Sequence, residues 1–302
     1  MTYYILANPN SGGSKGQKTL DILEPYFKEN EIDYALFATT QMGQEKAYID
    51  KILSQMNAAD HLIIIGGDGT LSLAVDVLSP AVPFSYIPAG SGNDFARSLG
   101  IPFDPIQAFE AIPKMEKHDI YIMTYQSEKL SGHALNNIGI GLDAAIVKAT
   151  NKSWLKKVLN FVKMGQISYF MTALRILFTK KPFVAEVSRD GEKLWFKKAF
   201  LMTFTKHPYF GGGIKIAPEA SNMKEPIELV EVDRYPLLTI FSLIPQLLKA
   251  EHLKDDHFSH EISNTFKIKL AETQAMQIDG EESELMAGDE LLIQTEKRTI
   301  IF

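Results

Sequence analysis

The chain has 302 residues, 45% hydrophobic and 23% charged, with a formal net charge of −6 and no cysteine. That length favours two domains over one core, and 20 Gly with 14 Pro exclude a collagen-like or low-complexity chain. The absence of Cys excludes a disulfide framework, a thiolate metal site and a cysteine nucleophile, and the negative charge argues against general nucleic-acid binding. No run of about 18 apolar residues is free of charge, so no membrane-spanning helix is expected. The opening MTYYILANPNSGG lacks the basic and long apolar regions of a signal peptide. These features together predict a cytoplasmic protein.

The first 100 residues alternate in type. YYILAN (3–8) reads as a strand, and 16–28 as a helix with Leu20, Leu23 and Phe27 on one side. DYALFATT (33–40) and helix 43–56 follow. HLIIIG (61–66) is a continuous apolar run, as expected of a strand covered on both faces. Helix 70–79, strand PFSYIPAG (83–90) and a helix opening near Gly92 complete the pattern. Alternation with short connections predicts a doubly wound parallel sheet, whose ligands sit at the carboxyl ends of the strands.

After about residue 118 the texture is β-rich. HDIYIMTYQ (118–126), GHALNNIGIG (132–141), 183–204, 227–235, 266–270, 275–281, 290–295 and 299–302 read as strands. Asp190-Gly191 is a hairpin signal. YPLLTIFSLIPQLLK (235–249) reads as a core helix or as the lining of a lipid channel. The expected fold class is therefore α/β with two domains. A doubly wound N-terminal domain spans 1–120 and a mostly antiparallel C-terminal β-sandwich spans 121–291. The last strand, about 292–302, is expected to return to the first domain.

Gly66-Gly67-Asp68-Gly69-Thr70 lies between a buried strand and a helix. Glycines there let backbone N–H groups approach an anion, and the helix adds a positive dipole end. A carboxylate beside phosphates makes sense if a divalent cation lies between them, or if it faces a hydroxyl to be phosphorylated. The alternative is a structural turn with Asp68 capping the helix. There is no P-loop signature, and a dinucleotide fingerprint would need Gly at Ser72. PAGSGNDFARSLGIP (88–102) follows the fourth strand, so Asn93 and Asp94 should lie beside Asp68. NPNSGGSKG (8–16) ends the first strand in the same style.

In this order and spacing, ILANPNSGG, IIIGGDGTL and IPAGSGNDFARSLGIP resemble the diacylglycerol kinase catalytic domain, most closely that of bacterial soluble lipid kinases. The resemblance continues in NNIGIGLDA (136–144), GGGIKIAPEA (211–220) and MQIDGE (276–281). It implies an N-terminal sheet like that of NAD kinases. It also implies an ATP site built from Asn8, Pro9, Asn10, Ser11, Gly12, Thr40, Gly66, Gly67, Asp68, Gly69, Thr70, Leu71, Ser72 and Ser91. Asp68 would act through Mg2+ and water on the ATP phosphates. Glu281, with Asp279 as the alternative, would take the proton from a lipid hydroxyl across an interdomain cleft. The implied reaction phosphorylates a lipid alcohol, with diacylglycerol leading to phosphatidic acid.

One departure concerns a structural metal that soluble relatives carry in an Asp-Gly turn. Lys224 and Glu225 occupy that place, so no structural metal is expected there. From Ala144 to Ala185 there is no acid, whereas Lys148, Lys152, Lys156, Lys157, Lys163, Arg175, Lys180 and Lys181 all fall within it. With the apolar face of Trp154, Leu155, Val158, Leu159, Phe161 and Val162, this stretch suits either peripheral contact at the inner membrane face or a core helix with a solvated basic side. His252, His257 and His260, near Asp255 and Asp256, match no metal spacing and read as a solvated loop. A homodimer is compatible with the sequence. The rival readings are an NAD kinase-like transferase and a non-catalytic nucleotide- or lipid-binding regulator.

Overall fold

A computed structural model describes residues 1–41, 43–114, 116–152, 174–210 and 213–302. The chain forms two compact units. The first comprises Met1–Ile122, Ser221–Glu225 and Glu296–Phe302, and the second Met123–Ala220 and Pro226–Thr295.

The first unit is built on four parallel strands, β1 (Tyr3–Ala7), β2 (Tyr34–Ala38), β3 (His61–Gly66) and β4 (Ser85–Pro88), in the order β2-β1-β3-β4. Every residue of β3 is buried, because it is a central strand covered on both faces. Tyr3, Ile5, Ile63, Ile65 and Ile87 pack with Leu20, Leu23 and Phe27 of helix α1 (Ser11–Glu29) and with Ala108 and Phe109 of α5 (Pro105–Ala111; α4 is Asp94–Leu99). The alternate residues Leu6, Leu62 and Ile64 are equally buried on the other face, that of α2 (Glu45–Gln55) and α3 (Asp68–Val75). Helix α1 is not regular from its start. Gly12, Gly13 and Ser14 all have positive φ, which makes a left-handed turn before the right-handed helix sets in.

The end of the chain completes this unit. Ile301 N–H donates to the Phe84 carbonyl, and Ser85 Oγ donates to the Ile301 carbonyl. The runs 290–295 and 299–302, read separately from the sequence, are one strand, Glu290–Ile301. The charged break between them is continuous because buried Arg298 finds partners. Its guanidinium donates to the Leu78 carbonyl at 2.6 Å and pairs with Glu296 at 2.6 Å.

The second unit is antiparallel β around a core that includes Ile138, Ile140, Ala185, Val187, Met202, Phe204, Phe266, Ile268 and Met276. Its main hairpins are Phe183–Arg189 with Glu192–Thr205, and Gln274–Ile278 with Glu281–Leu285. Both turn through Asp-Gly pairs with positive φ, Asp190-Gly191 and Asp279-Gly280, the two-residue hairpin geometry such pairs favour. The span 132–141, read as one strand, is two, Ser131–Ala134 and Asn137–Gly141. The break has a cause: the amides of Leu135, Asn136 and Asn137 all donate to the Asp279 carboxylate.

Two further readings are corrected. Phe258–Ser263 is a strand paired with Ile227–Asp233, so His260 is not in a solvated loop. Its Nε2 lies 2.8 Å from Glu228, and buried His252 has Nε2 2.8 Å from the Ile216 carbonyl. The helix α7 (Leu237–Leu248; α6 is Leu142–Lys152) is not a core helix, since Leu243 alone of its residues is buried. Among the described residues no helix is long and apolar enough to cross a membrane.

Candidate active site

The candidate site in the first unit is made where three strands end. Each strand exits into a loop containing glycine, and the loops close on one another. Ser11 Oγ donates to the Ala89 carbonyl at 3.1 Å, and Asn8 Nδ2 donates to Thr70 Oγ1 at 3.1 Å. Lys15 Nζ reaches the Gly90 carbonyl at 3.3 Å. The Gly90 amide donates to Asn93 Oδ1 at 2.7 Å.

Two glycines are dictated by this closeness. A Cβ on Gly90 would lie 2.6 Å from the Gly67 Cα, and one on Gly12 would lie 2.6 Å from the Ala89 carbonyl oxygen. The β3 and β4 loops therefore meet backbone to backbone, which is the adjacency that parallel order requires. Gly69 has open space where a side chain would stand, so its backbone faces free volume. A cavity of about 330 Å³ opens along Lys15, Lys18, Gly90, Ser91, Asn93 and Arg97.

Asp68 opens α3, with Gly67 as the capping residue and no side-chain cap. The carboxylate thus does not cap its own helix. One oxygen, Oδ2, accepts the Asp94 amide at 3.1 Å, while Oδ1 is buried without a hydrogen-bond partner. Burial pushes this carboxyl up to about 6, opposed by the amides of Asp94 and Phe95 and by Arg97. A buried acid with one idle oxygen is costly unless something binds it.

The remaining predicted residues divide by exposure. Asn10 and Ser91 are exposed, and Pro9, Gly67 and Ser72 half-exposed. Gly66 and Leu71 are buried, and Thr70 and Ser11 nearly so; they shape the loops from within. Thr40 lies two residues past the edge strand β2, where its amide and hydroxyl both donate to Gln44 Oε1. Sequence reasoning missed Lys15 and Arg97 as members of the site. Arg97 pairs with Asp94 and donates to the Gly92 carbonyl at 3.2 Å. Its signal was the spacing of three from Asp94 within NDFAR. Asn222 was missed as well: fully buried, it accepts from Ser98 Oγ at 3.0 Å and from the Tyr121 amide through its own carbonyl at 2.7 Å.

Asp279 and Glu281 belong to the second unit. Asp279 is fully engaged: Oδ2 accepts the Leu135 amide at 2.7 Å, and Oδ1 accepts those of Asn136 and Asn137 at 2.8 and 3.0 Å. Gln277 ties the same turn down, accepting the Gly280 amide and donating to Asn137 and to Asp143. Glu281, by contrast, is exposed at the start of its strand. Among the described residues no three His, Asp or Glu side chains gather around a common point.

Of the basic stretch, Trp154 to Lys163 lies outside the described residues. Lys148 is already paired with Glu282 and Glu284 at 3.7 and 3.5 Å, and Lys180 donates to Gln274.

A parallel sheet with glycine loops at its carboxyl ends, followed by an antiparallel β unit, is a two-domain architecture whose first unit carries loops of the anion-binding kind. Residues 2–125 match the diacylglycerol kinase catalytic domain family, and residues 136–289 match the YegS C-terminal NAD kinase beta sandwich-like domain. The chain belongs to this lipid kinase family.

It is 27% identical to a diacylglycerol kinase of Bacillus subtilis over 94% of this chain and 91% of that one. It is 26% identical to the provisionally assigned lipid kinase YtlR of the same organism, over 84% of each. A Bacillus anthracis chain, provisionally a diacylglycerol kinase, superposes with a TM-score of 0.78 at 22% identity, covering 100% of this chain and 94% of that one. The ATP complex of an Archaeoglobus fulgidus NAD kinase shares the fold alone, with a TM-score of 0.53 at 13% identity over 100% and 94% of the two chains.

Proposed function

We propose that this chain transfers the terminal phosphoryl group of ATP to the hydroxyl of a lipid alcohol, with diacylglycerol as the leading acceptor and phosphatidic acid as the product. The observation that carries this reading is the convergence of three glycine loops on Asp68, whose Oδ1 is buried without a partner. Phosphoryl transfer asks a protein for positioning and charge neutralisation more than for covalent chemistry. Loops with free backbone and a helix N-terminus meet the first demand, and the idle carboxylate oxygen fits the second.

The donor set fits Mg2+, which typically takes one or two carboxylates and fills the rest with water and phosphate oxygens. Asp68 would hold it through water, and the ion would supply charge neutralisation on the phosphates. Asn8 to Gly12, Gly66 to Ser72 and Ser91 would hold ATP. Glu281 would accept the hydroxyl proton as the lipid oxygen bonds to phosphorus and the bond to ADP breaks. Asp279, its oxygens committed to three amides, is assigned here as a positioning residue for that turn.

The test is phosphate transfer from radiolabelled ATP to lipid alcohols in mixed micelles with Mg2+, with NAD as a soluble control acceptor. Labelled lipid is expected. Labelled NAD, or nucleotide binding with no labelled product from any acceptor, would overturn the reading in favour of one of its two rivals.

A further inference from the structure

Helix α7, LLTIFSLIPQLL, contains no charged residue, yet only one of its faces is used by the fold. Leu243 is buried, and Leu247 packs against the small core of Leu201, Ile216, Val230 and Val232. The opposite face points to water. Leu238 is 85% exposed and Leu248 68% exposed, with Phe241 and Ile244 also exposed. Residues 238, 241, 245 and 248 follow the spacing of one helical stripe. Phe178 extends this surface: its ring is half-exposed and lies 6.3 Å from that of Phe241. Contiguous apolar side chains of this size on a surface mark a contact site.

The rim of the patch is positive. Arg175 and Lys181 flank Phe178, and Lys249 follows Leu248; all three are exposed. No acid occurs between Arg234 and Ala250 or between residues 174 and 185. Glu251 and Asp255 come only after the helix, and Asp255 is engaged by Gln246 and His257.

From this arrangement we infer that the outer face of α7, with Phe178, docks the second unit onto an anionic lipid surface. At about 18 Å the helix is too short to cross a bilayer of about 30 Å, so it lies in the headgroup boundary. There, leucine and phenylalanine enter the acyl region while Arg175, Lys181 and Lys249 meet anionic headgroups. Charge also argues against a second copy of the chain as the occupant. A two-fold contact would set this cationic rim against itself. The lipid-kinase reading supplies the reason to seek a membrane, but the test below does not depend on it.

The experiment is flotation of the intact chain with phosphatidylcholine vesicles, with and without phosphatidylglycerol, in the absence of nucleotide. Binding to the phosphatidylglycerol vesicles is expected. The double variant Leu238→Glu/Leu248→Glu should lower that partition by roughly tenfold or more. Its melting temperature should hold, because both side chains are exposed. Replacing Arg175, Lys181 and Lys249 by Ala should weaken binding to anionic vesicles only. A Leu238→Trp variant gives an independent readout, with indole emission quenched by brominated lipid. Undiminished partition of the double variant, or an unquenched indole, would overturn the inference. So would a loss of self-association in sedimentation with vesicle binding intact, which would assign the face to a second copy. Vesicle binding without any lipid phosphorylation would leave this inference standing while sinking the kinase reading.

Discussion

Two of the three Asp-Gly pairs of this chain, Asp68-Gly69 and Asp279-Gly280, look alike in sequence and differ in what their carboxylates do. Both follow a strand, Asp68-Gly69 after β3 and Asp279-Gly280 after Gln274–Ile278. Asp279 accepts three backbone amides, and its positive φ closes a hairpin. Asp68 accepts the Asp94 amide on one oxygen and leaves the other buried and idle. The first arrangement is what a structural acid looks like, because both oxygens accept amides of its own unit. The second carries a desolvation penalty that the amides of Asp94 and Phe95 and the Arg97 charge offset only in part. The metal-holding role proposed for Asp68 calls for an acid in that state, and the proposed function gives the two pairs different work.

The sharpest way to break the contrast is to neutralise each acid in turn. Asp68→Asn keeps an oxygen for the Asp94 amide and removes only the buried charge. Lipid phosphorylation should fall on the order of 10³-fold, while the melting temperature holds or rises. Equal activity would sink the role given to Asp68. Asp279→Asn should do the reverse. An amide group has one acceptor oxygen and turns an NH₂ toward amides that need an acceptor. Unfolding free energy should fall by about 3 kcal/mol, measured as a lower urea midpoint. If Asp279→Asn were inactive at wild-type stability, Asp279 would be promoted to a catalytic residue.

The third prediction tests whether the glycine loops must touch. Gly90→Ala places a methyl 2.6 Å from the Gly67 Cα and from Asn93 Oδ1. The backbones on both sides cannot give as a flexible side chain would. A loss of about 1–3 kcal/mol in stability is expected, together with weaker ATP binding by calorimetry. Gly69→Ala, with open space around it, should leave stability nearly unchanged. Equal effects at both positions would mean that close approach is not what selects glycine here.

Much of this was legible before any coordinates, for a physical reason. A continuous apolar run such as HLIIIG can be little but a covered strand, and loops rich in Gly, Ser and Asn at successive strand ends announce a shared rim. What stayed hidden depends on partners far along the chain. The break at Leu135–Asn136 comes from Asp279, more than 140 positions later. Arg298 looked like an interruption because its acceptors, the carbonyls of Val75 and Leu78, are more than 200 positions away. Helix α7 read as core because its sequence is apolar on every side; hydropathy cannot say that only one face finds a neighbour. Gln277 and Asp143, which brace the second turn, carry no local pattern at all.

The smallest predicted effect extends the contrast to pH, with the two units responding in opposite directions. In the first, His61 Nε2 lies 2.8 Å from Ser85 Oγ. That hydroxyl donates onward to the Ile301 carbonyl, so the ring is the donor, held neutral with Nε2 protonated. Burial, and then the nearby Lys117 charge, lower its pKa to about 4. A depressed histidine contributes stability that is complete above its unfolded value of about 6.5 and is lost as pH falls through 4. In the second unit, burial raises Asp143 to about 6, despite the Gln277 hydrogen bond. There the folded state holds the proton more tightly than the unfolded chain, so stability grows as pH falls from about 6 toward 4. Between pH 7 and pH 5 each change amounts to about 1–2 kcal/mol. Urea unfolding of His61→Gln and Asp143→Asn beside the parent chain isolates the two contributions. The His61 variant should lose less stability than the parent on acidification, and the Asp143 variant should gain less. Parallel slopes for parent and variants would mean that neither group carries the pH dependence of its unit.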